Sequence, residues 1–172
     1  MDGIFGWLGD QGAHQDLITQ MKRAARLSPE SWLHEHSTQR LGVAGASRFG
    51  KAAIHVEKDL ATALYGRPRF IDEDLAAIAR EQGAAAAVAH GWLRHGDKLP
   101  TLMHGNFAFA VLEPLKKQAF LALDRAGAER LCYAHRKGLL VFGSSVQSVA
   151  AHPAAGRNID PQAIYDYLYF QT

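Results

Sequence analysis

Three places in this 172-residue chain carry side chains whose type and spacing could do chemistry. The first is Asp2, in the run Met1-Asp2-Gly3-Ile4-Phe5-Gly6-Trp7-Leu8. Four large apolar side chains (Ile4, Phe5, Trp7, Leu8) arrive before residue 9. Chain ends usually fray because they have little to pack against, but burying these four stabilises a fold by roughly 1.5–3 kcal/mol each. The run therefore predicts a core strand, with the Asp2 carboxylate close to the domain interior. The second place is His34-Glu35-His36. Alternate residues of a strand share a face, so a His-x-His pair can hold a metal. Structural zinc takes four ligands, however, and no further His/Cys cluster stands at ligand spacing. The polar stretch 31–39 is accordingly read as a solvated loop and no metal site is predicted. The other histidines (14, 55, 90, 95, 104, 135 and 152) are dispersed. The third place is Cys132, the single cysteine, which rules out an internal disulfide. Free cysteines are among the most buried residues, so a core role is expected for it rather than a reactive one.

The elements that must position these groups follow from composition and periodicity. The length suits one domain able to bury roughly 70% of its unfolded surface. At 48% hydrophobic and 21% charged the chain is of ordinary globular composition, and its formal net charge is +2. Basic residues are scattered in local pairs such as Arg67/Arg69 and Lys116/Lys117, without the basic stripe that nucleic-acid binding requires, so no nucleic-acid partner is expected. The start lacks the basic segment and long apolar run of a signal peptide, and no stretch reaches the ~20 apolar residues of a membrane span. A soluble, cytoplasmic protein with no membrane partner is the expectation.

Along the chain, residues 14–27 carry apolar side chains at helical spacing, ended by Ser28-Pro29. Leu41-Gly42-Val43-Ala44, Ala52-Ala53-Ile54-His55-Val56 and Ala61-Thr62-Ala63-Leu64-Tyr65 read as strands, the last closed by a turn at Gly66-Arg67-Pro68. Asp72 caps a helix that Gly83 stops. A second helix over 84–94 opens on a run of alanines without a functional group, which suits tight, buried packing. Residues 105–112 are a strand of alternating large and small side chains, with a hairpin partner over 118–123. Another hairpin surrounds Arg136-Lys137-Gly138. A short helix covers 145–151, and a last helix is capped by Asp160 with Pro161 following. This order supports two antiparallel sheets with helices packed outside.

Five ordered blocks then carry a resemblance. Gly105-Asn106-Phe107-Ala108-Phe109-Ala110, Asp124-Arg125-Ala126-Gly127, Leu131-Cys132-Tyr133-Ala134, Leu139-Leu140-Val141-Phe142-Gly143-Ser144 and Ile159-Asp160-Pro161-Gln162-Ala163 closely resemble the glutaminase domain of asparagine synthetases. The opening Met-x-Gly-Ile-x-Gly matches that family too. The resemblance implies a class II glutamine amidotransferase-like domain: α+β, a four-layer αββα sandwich of two antiparallel sheets flanked by helices, as in N-terminal nucleophile hydrolases. It also implies that the catalytic pieces are altered. The family's nucleophile is a cysteine at position 2, exposed when methionine is removed; here Asp2 occupies that position, so no catalytic residue is assigned. The family's Asn-Gly-Glu block, whose asparagine donates to the oxyanion, aligns with Tyr65-Gly66-Arg67. Its Ser-Asp-Thr-Glu block, whose aspartate holds the substrate's amino group, falls on Gly83-Ala84-Ala85-Ala86. Arg40 is the surviving candidate for the substrate carboxylate. Asp2, Arg40, Tyr65, Gly66 and Ala84 thus make a degenerate substrate pocket. Asp124-Arg125 matches a motif that serves as a structural turn with a buried ion pair.

The resemblance implies a catalytically silent glutaminase-like domain over 1–158. A terminal helix over 159–172 would lead toward an absent synthetase domain, which would be a partner in cis or in trans. Such a protein is an asparagine-synthetase-like ATP-dependent ligase that forms amide bonds; lasso-peptide cyclases and β-lactam synthetases resemble the same plan. No cofactor is expected for this domain, ATP and Mg belonging to the synthetase domain, and a homodimer is compatible with that plan. An active glutamine amidotransferase and a stand-alone interaction module are the alternatives. Tyr165, Tyr167, Tyr169 and Phe170 suit docking in the latter, although packing on their own sheet is the expectation.

Overall fold

The structure, a computed structural model, describes residues 3–10, 16–26, 32–47, 53–156 and 161–170. Its first element is β1 (Gly3–Leu8), and the apolar opening does become a core strand. Alternation sends its side chains to two different places. Ile4 and Leu8 face a second sheet, while Phe5 and Trp7 face helices.

β1 lies at the centre of a five-stranded antiparallel sheet of order β2-β3-β1-β9-β8. Its other strands are β2 (Trp32–Ser37), β3 (Leu41–Ser47), β8 (Cys132–Arg136) and β9 (Leu139–Gly143). The four-stranded antiparallel sheet has the order β4-β5-β6-β7: β4 (Ile54–Glu57), β5 (Leu60–Phe70), β6 (Met103–Glu113) and β7 (Gln118–Leu123). The two sheets meet over Ile4, Leu41 and Val43 on one side and Ala61, Ala63, Ala108 and Ala110 on the other. The small residues of β5 and β6 let the sheets approach. The large members of the alternation, Phe107, Phe109 and Val111, turn outward onto α2 (Glu73–Glu81) and α3 (Ala84–His95). Beyond the first sheet, α1 (Leu17–Ala25) and α4 (Val146–Ala150) cover Phe5, Trp7 and Val141. The layers are therefore helices, sheet, sheet, helices, the αββα sandwich expected.

Capping follows the sequence. The Asp72 side chain accepts from Leu75 N–H at 2.9 Å to start α2, and Ser145 accepts from Ser148 N–H at 3.1 Å to start α4. Ala85 to Ala89 of α3 are all at most 2% exposed, the tight packing that their size permits. Asp160, the expected cap of the last helix, lies outside the described residues.

Three expectations are corrected. The stretch read as a solvated loop contains β2, an edge strand paired with β3 from Leu33↔Ala46 to Ser37↔Gly42. Its polar sequence lacks the apolar alternation of a half-buried strand, but an edge strand is held by main-chain pairing instead. The turn read at Gly66-Arg67-Pro68 is the continuation of β5, which pairs with β6 as far as Phe70↔Met103. Proline is tolerated there because β4 ends opposite Ala63, leaving the far side of β5 as an edge among the described residues. Finally, the aromatic last helix, α5 (Pro161–Phe170), has no residue buried against a sheet among the described residues. Ile164, Tyr165, Tyr167, Leu168, Tyr169 and Phe170 are 49–69% exposed, and Tyr165 stacks on Tyr169 at 4.3 Å.

Candidate functional site

A cleft of about 670 Å³ opens where β3 ends and β5 loses its β4 neighbour. It runs between Ala46 and Ser47 of β3, residues 64–70 of β5, Ala76, Ala79 and Arg80 of α2, and Ala84 at the first turn of α3. β1 approaches the same end, since Gly3 pairs with Ala46. Of the five expected pocket residues, Tyr65, Gly66 and Ala84 are brought together here. Asp2 lies outside the described residues.

Arg40 is not part of this cleft. β3 runs antiparallel to β1, so Leu41 sits beside Leu8 and Ala46 beside Gly3. At about 3.3 Å per residue, Arg40 stands some 20 Å along the strand from the cleft. There Arg40 Nε pairs with Asp10 Oδ1 at 2.6 Å, both side chains largely exposed, near Lys117 and Lys137.

Tyr65 is buried, and its hydroxyl is committed to the main chain of residue 130. Arg130 N–H donates to the hydroxyl oxygen at 2.7 Å, and the hydroxyl donates to the Arg130 carbonyl. Burial pushes the phenol up to about 12; the nearby Glu129 and Cys132 add to the rise, and the Arg130 bond only partly offsets it. Tyr65 is thus a neutral structural phenol at physiological pH. Gly66 adopts φ +100°, and a Cβ there would lie 2.4 Å from the Asn106 carbonyl oxygen. Only glycine fits this approach of β5 to β6. Ala84 offers the cleft a methyl group.

The edge of β5 carries main-chain groups as well. Leu64 N–H donates away from β6, to Ala53 O at 2.8 Å, whereas Ile71 N–H donates toward β6, to Leu102 O at 2.9 Å. By alternation residues 66, 68 and 70 turn their main-chain groups to the open edge. Pro68, which has no N–H, occupies one of those positions without loss of a bond.

Asp124 makes the structural turn expected of it, with different partners. Its Oδ1 accepts from Ala126 N–H at 3.0 Å and Ala128 N–H at 3.2 Å, and Oδ2 from Glu129 N–H at 3.1 Å and Phe107 N–H at 3.4 Å. Burial alone would raise this carboxyl, but the four main-chain donors outweigh it and hold it below its ordinary value. Arg125 is exposed and is not among the partners, so the expected ion pair is replaced by main-chain donors. Cys132 is half-buried on β8, against the cluster that contains Phe5 and Val149, which is the packing role expected. Among the described residues no group of three or more His, Cys, Asp or Glu could hold a metal ion, and no helix is long and apolar enough to cross a membrane.

The charged residues of the lining, Arg67 and Arg69 of β5 and Arg80 of α2, were not among the expected pocket residues. The Arg67/Arg69 spacing was visible as a basic pair, but nothing local signals that Arg80 reaches the same space.

Comparison with known proteins decides the family. Residues 73–172 match the family model described as a glutamine amidotransferase domain. The chain belongs to that family. This amidotransferase-family domain is 26% identical over 109 residues to asparagine synthetase [glutamine-hydrolyzing] 3 of Bacillus subtilis (strain 168), covering 59% of the chain and 18% of that protein. It also shares its fold with glutamine phosphoribosylpyrophosphate amidotransferase from B. subtilis, in a complex with ADP and GMP, at a TM-score of 0.55 and 14% identity over 85% of this chain and 42% of that one. A structure described as the allosteric regulatory enzyme of purine biosynthesis aligns at a TM-score of 0.57 and 16% identity, over 87% and 43% of the two chains. The amidotransferase domain thus spans less than half the length of each of these relatives.

Proposed function

We propose that this amidotransferase-family domain has lost glutamine hydrolysis and serves as a structural or regulatory part of an asparagine-synthetase-like, ATP-dependent amide-forming ligase. The observation that carries the proposal is the chemistry of the cleft. Its described lining has five polar side chains, Ser47, Tyr65, Arg67, Arg69 and Arg80. None is a carboxylate, an imidazole, an amine or a thiol. The phenol at the position of the family's oxyanion donor is tied to Arg130, and the position of the ammonium-binding acid is an alanine. Loss of one oxyanion donor alone costs about 10²–10³ in rate. The sequence adds that residue 2 is an aspartate and that the single cysteine is Cys132, on a strand and half-buried. A carboxylate is a far weaker nucleophile toward an amide than the thiolate the family uses.

The assay is release of ammonia and glutamate from L-glutamine by the purified chain. The expected result is background turnover, unchanged in Asp2→Ala. Turnover that Asp2→Ala abolishes overturns the proposal in favour of an active amidotransferase supplying ammonia.

The exposed aromatic face of α5 supplies a docking surface, and a stand-alone protein-interaction module is the second reading, which applies where the partner is not a synthetase domain. Aromatic anchors dominate protein interfaces. In our reading α5 docks against the synthetase domain, in cis or in trans, in a cytoplasmic ligase; ATP and Mg are then needed by that domain and no cofactor by this one. Binding of a synthetase domain supplied in trans, lost on Tyr167→Ser/Tyr169→Ser, checks it.

A further inference from the structure

Among the described residues, every non-glycine residue with a positive φ is a cation: Arg26, Lys58, Lys117 and Lys137, at 49° to 53°. The left-handed region costs an L side chain energy that glycine avoids and asparagine tolerates. Arg26 closes α1. The three lysines instead occupy the exposed tips of three hairpins, β4–β5, β6–β7 and β8–β9. These tips meet at one end of the sandwich, far from the cleft beside Gly66. Lys58 lines a hollow of about 410 Å³ there and Lys117 and Lys137 one of about 500 Å³, with Arg40 and Pro114 bordering both. Neighbouring strands stand about 4.8 Å apart and packed sheets about 10 Å. The Lys117 tip is therefore about 10 Å from the Lys58 tip, two strands along the second sheet, and about 10 Å from the Lys137 tip across to the first. Arg40 is paired with Asp10 at 2.6 Å. No side-chain hydrogen bond or ion pair holds Lys58, Lys117 or Lys137 among the described residues. Strain kept at three lysine tips on one end, where glycine or asparagine would relax the chain, points to their charge as what the tips supply.

We propose that this end of the sandwich docks an acidic segment of a partner protein, an extended run rich in Asp and Glu. Cations spaced over a path of about 20 Å suit a chain of about six extended residues with carboxylates at intervals, rather than one small ion. Asp10 and Asp59 interrupt the positive surface, which disfavours the unbroken phosphate line of a nucleic acid. Leu115 is the exposed large apolar side chain at these tips among the described residues, so an anionic bilayer gains little there beyond charge. The surface lies away from the Gly66 cleft, and the proposal stands whether or not glutamine is hydrolysed.

The test is fluorescence anisotropy of a fluorescein-labelled octaglutamate peptide titrated with the full chain. Saturable binding that weakens as salt rises is expected. Lys58→Gln, Lys117→Gln and Lys137→Gln should each weaken it about two- to fivefold, the scale of one exposed ion pair, and the triple variant about tenfold or more. Lys98→Gln removes the same charge from an exposed residue ahead of the start of β6, at the other end of that strand, and should change nothing. Lys137 is followed by Gly138 at φ +77°, a pair of positive φ values that favours Asn-Gly. Lys137→Asn should therefore raise the melting temperature and still weaken binding as Lys137→Gln does. Thermal melts of all variants establish that they are folded. Absence of saturable binding, a loss in Lys98→Gln equal to that in the tip variants, or a Lys137→Asn variant that binds as tightly as wild type overturns the proposal. Single-stranded oligothymidine or phosphatidylserine vesicles bound more tightly than the peptide overturn it as well, in favour of a nucleic acid or a membrane.

Discussion

Replacing Asp124 by Asn tests the device that locks the β7–β8 connection onto the second sheet. In the wild type each carboxylate oxygen accepts two main-chain N–H groups: Ala126 and Ala128 on Oδ1, Phe107 and Glu129 on Oδ2. Asparagine keeps the shape and one acceptor oxygen, but turns an NH₂ donor toward the other two N–H groups. Two charge-assisted bonds are lost at about 1.5 kcal/mol each, roughly 3 kcal/mol in all. That is a large part of the ~5–15 kcal/mol by which domains are stable. Urea denaturation followed by tryptophan fluorescence reads it directly. With a slope of about 2 kcal/mol per molar, the midpoint should fall by about 1.5 M without a change in slope.

The pH dependence follows from the same contacts. The folded-state carboxyl is held below its ordinary value of 3.8, so its stabilisation is complete above that value and lost as pH falls through the lower folded-state value. The gap between wild type and Asp124→Asn should be constant from pH 7 to about 5 and should narrow in strong acid, below the ordinary carboxylate range. A midpoint shift of less than about 0.3 M at pH 7, or a gap that widens in acid, refutes the reasoning.

Two further outcomes are expected. Gly66→Ala forces an L residue to φ +100° with a Cβ 2.4 Å from the Asn106 oxygen, so it should lower the melting temperature by circular dichroism, the conformation alone costing about 1–2 kcal/mol. Tyr65, whose folded-state value is pushed up to about 12, favours folding below the ordinary tyrosine value of 10.0, and that contribution is lost as pH rises through about 12. Ultraviolet titration should therefore differ between wild type and Tyr65→Phe by one phenol that ionises near pH 12 rather than near pH 10, and the alkaline loss of stability should be smaller in Tyr65→Phe.

The elements legible in the sequence were those whose cause is local. Ile4 and Leu8 against Phe5 and Trp7 announce a strand covered on both faces, Asp72 and Ser145 announce helix starts, and the Ala108/Phe109 alternation separates the sheet-facing from the helix-facing side of β6. What depended on distant pairing was misread. β2 is a strand because β3 offers it a ladder, and Gly66-Arg67-Pro68 is extended because β6 does the same; neither partner is visible from within those residues. The site was legible to the same degree. Tyr65, Gly66 and Ala84 converge because β5 and α3 meet at one end of the second sheet. Arg40 was misplaced because an antiparallel pairing reverses direction, so the residue that starts β3 lies at the far end of β1. The exposed aromatics of α5 show the converse limit: apolar composition signals burial, without saying against what.

We propose that this member of the glutamine amidotransferase family does not hydrolyse glutamine. The measurement that meets this proposal most directly is coupled detection of ammonia and glutamate from L-glutamine, on the purified chain and on Asp2→Ala. The account predicts that both proteins stay at the rate of the buffer blank. Sustained release by the wild type, lost in Asp2→Ala, would contradict it.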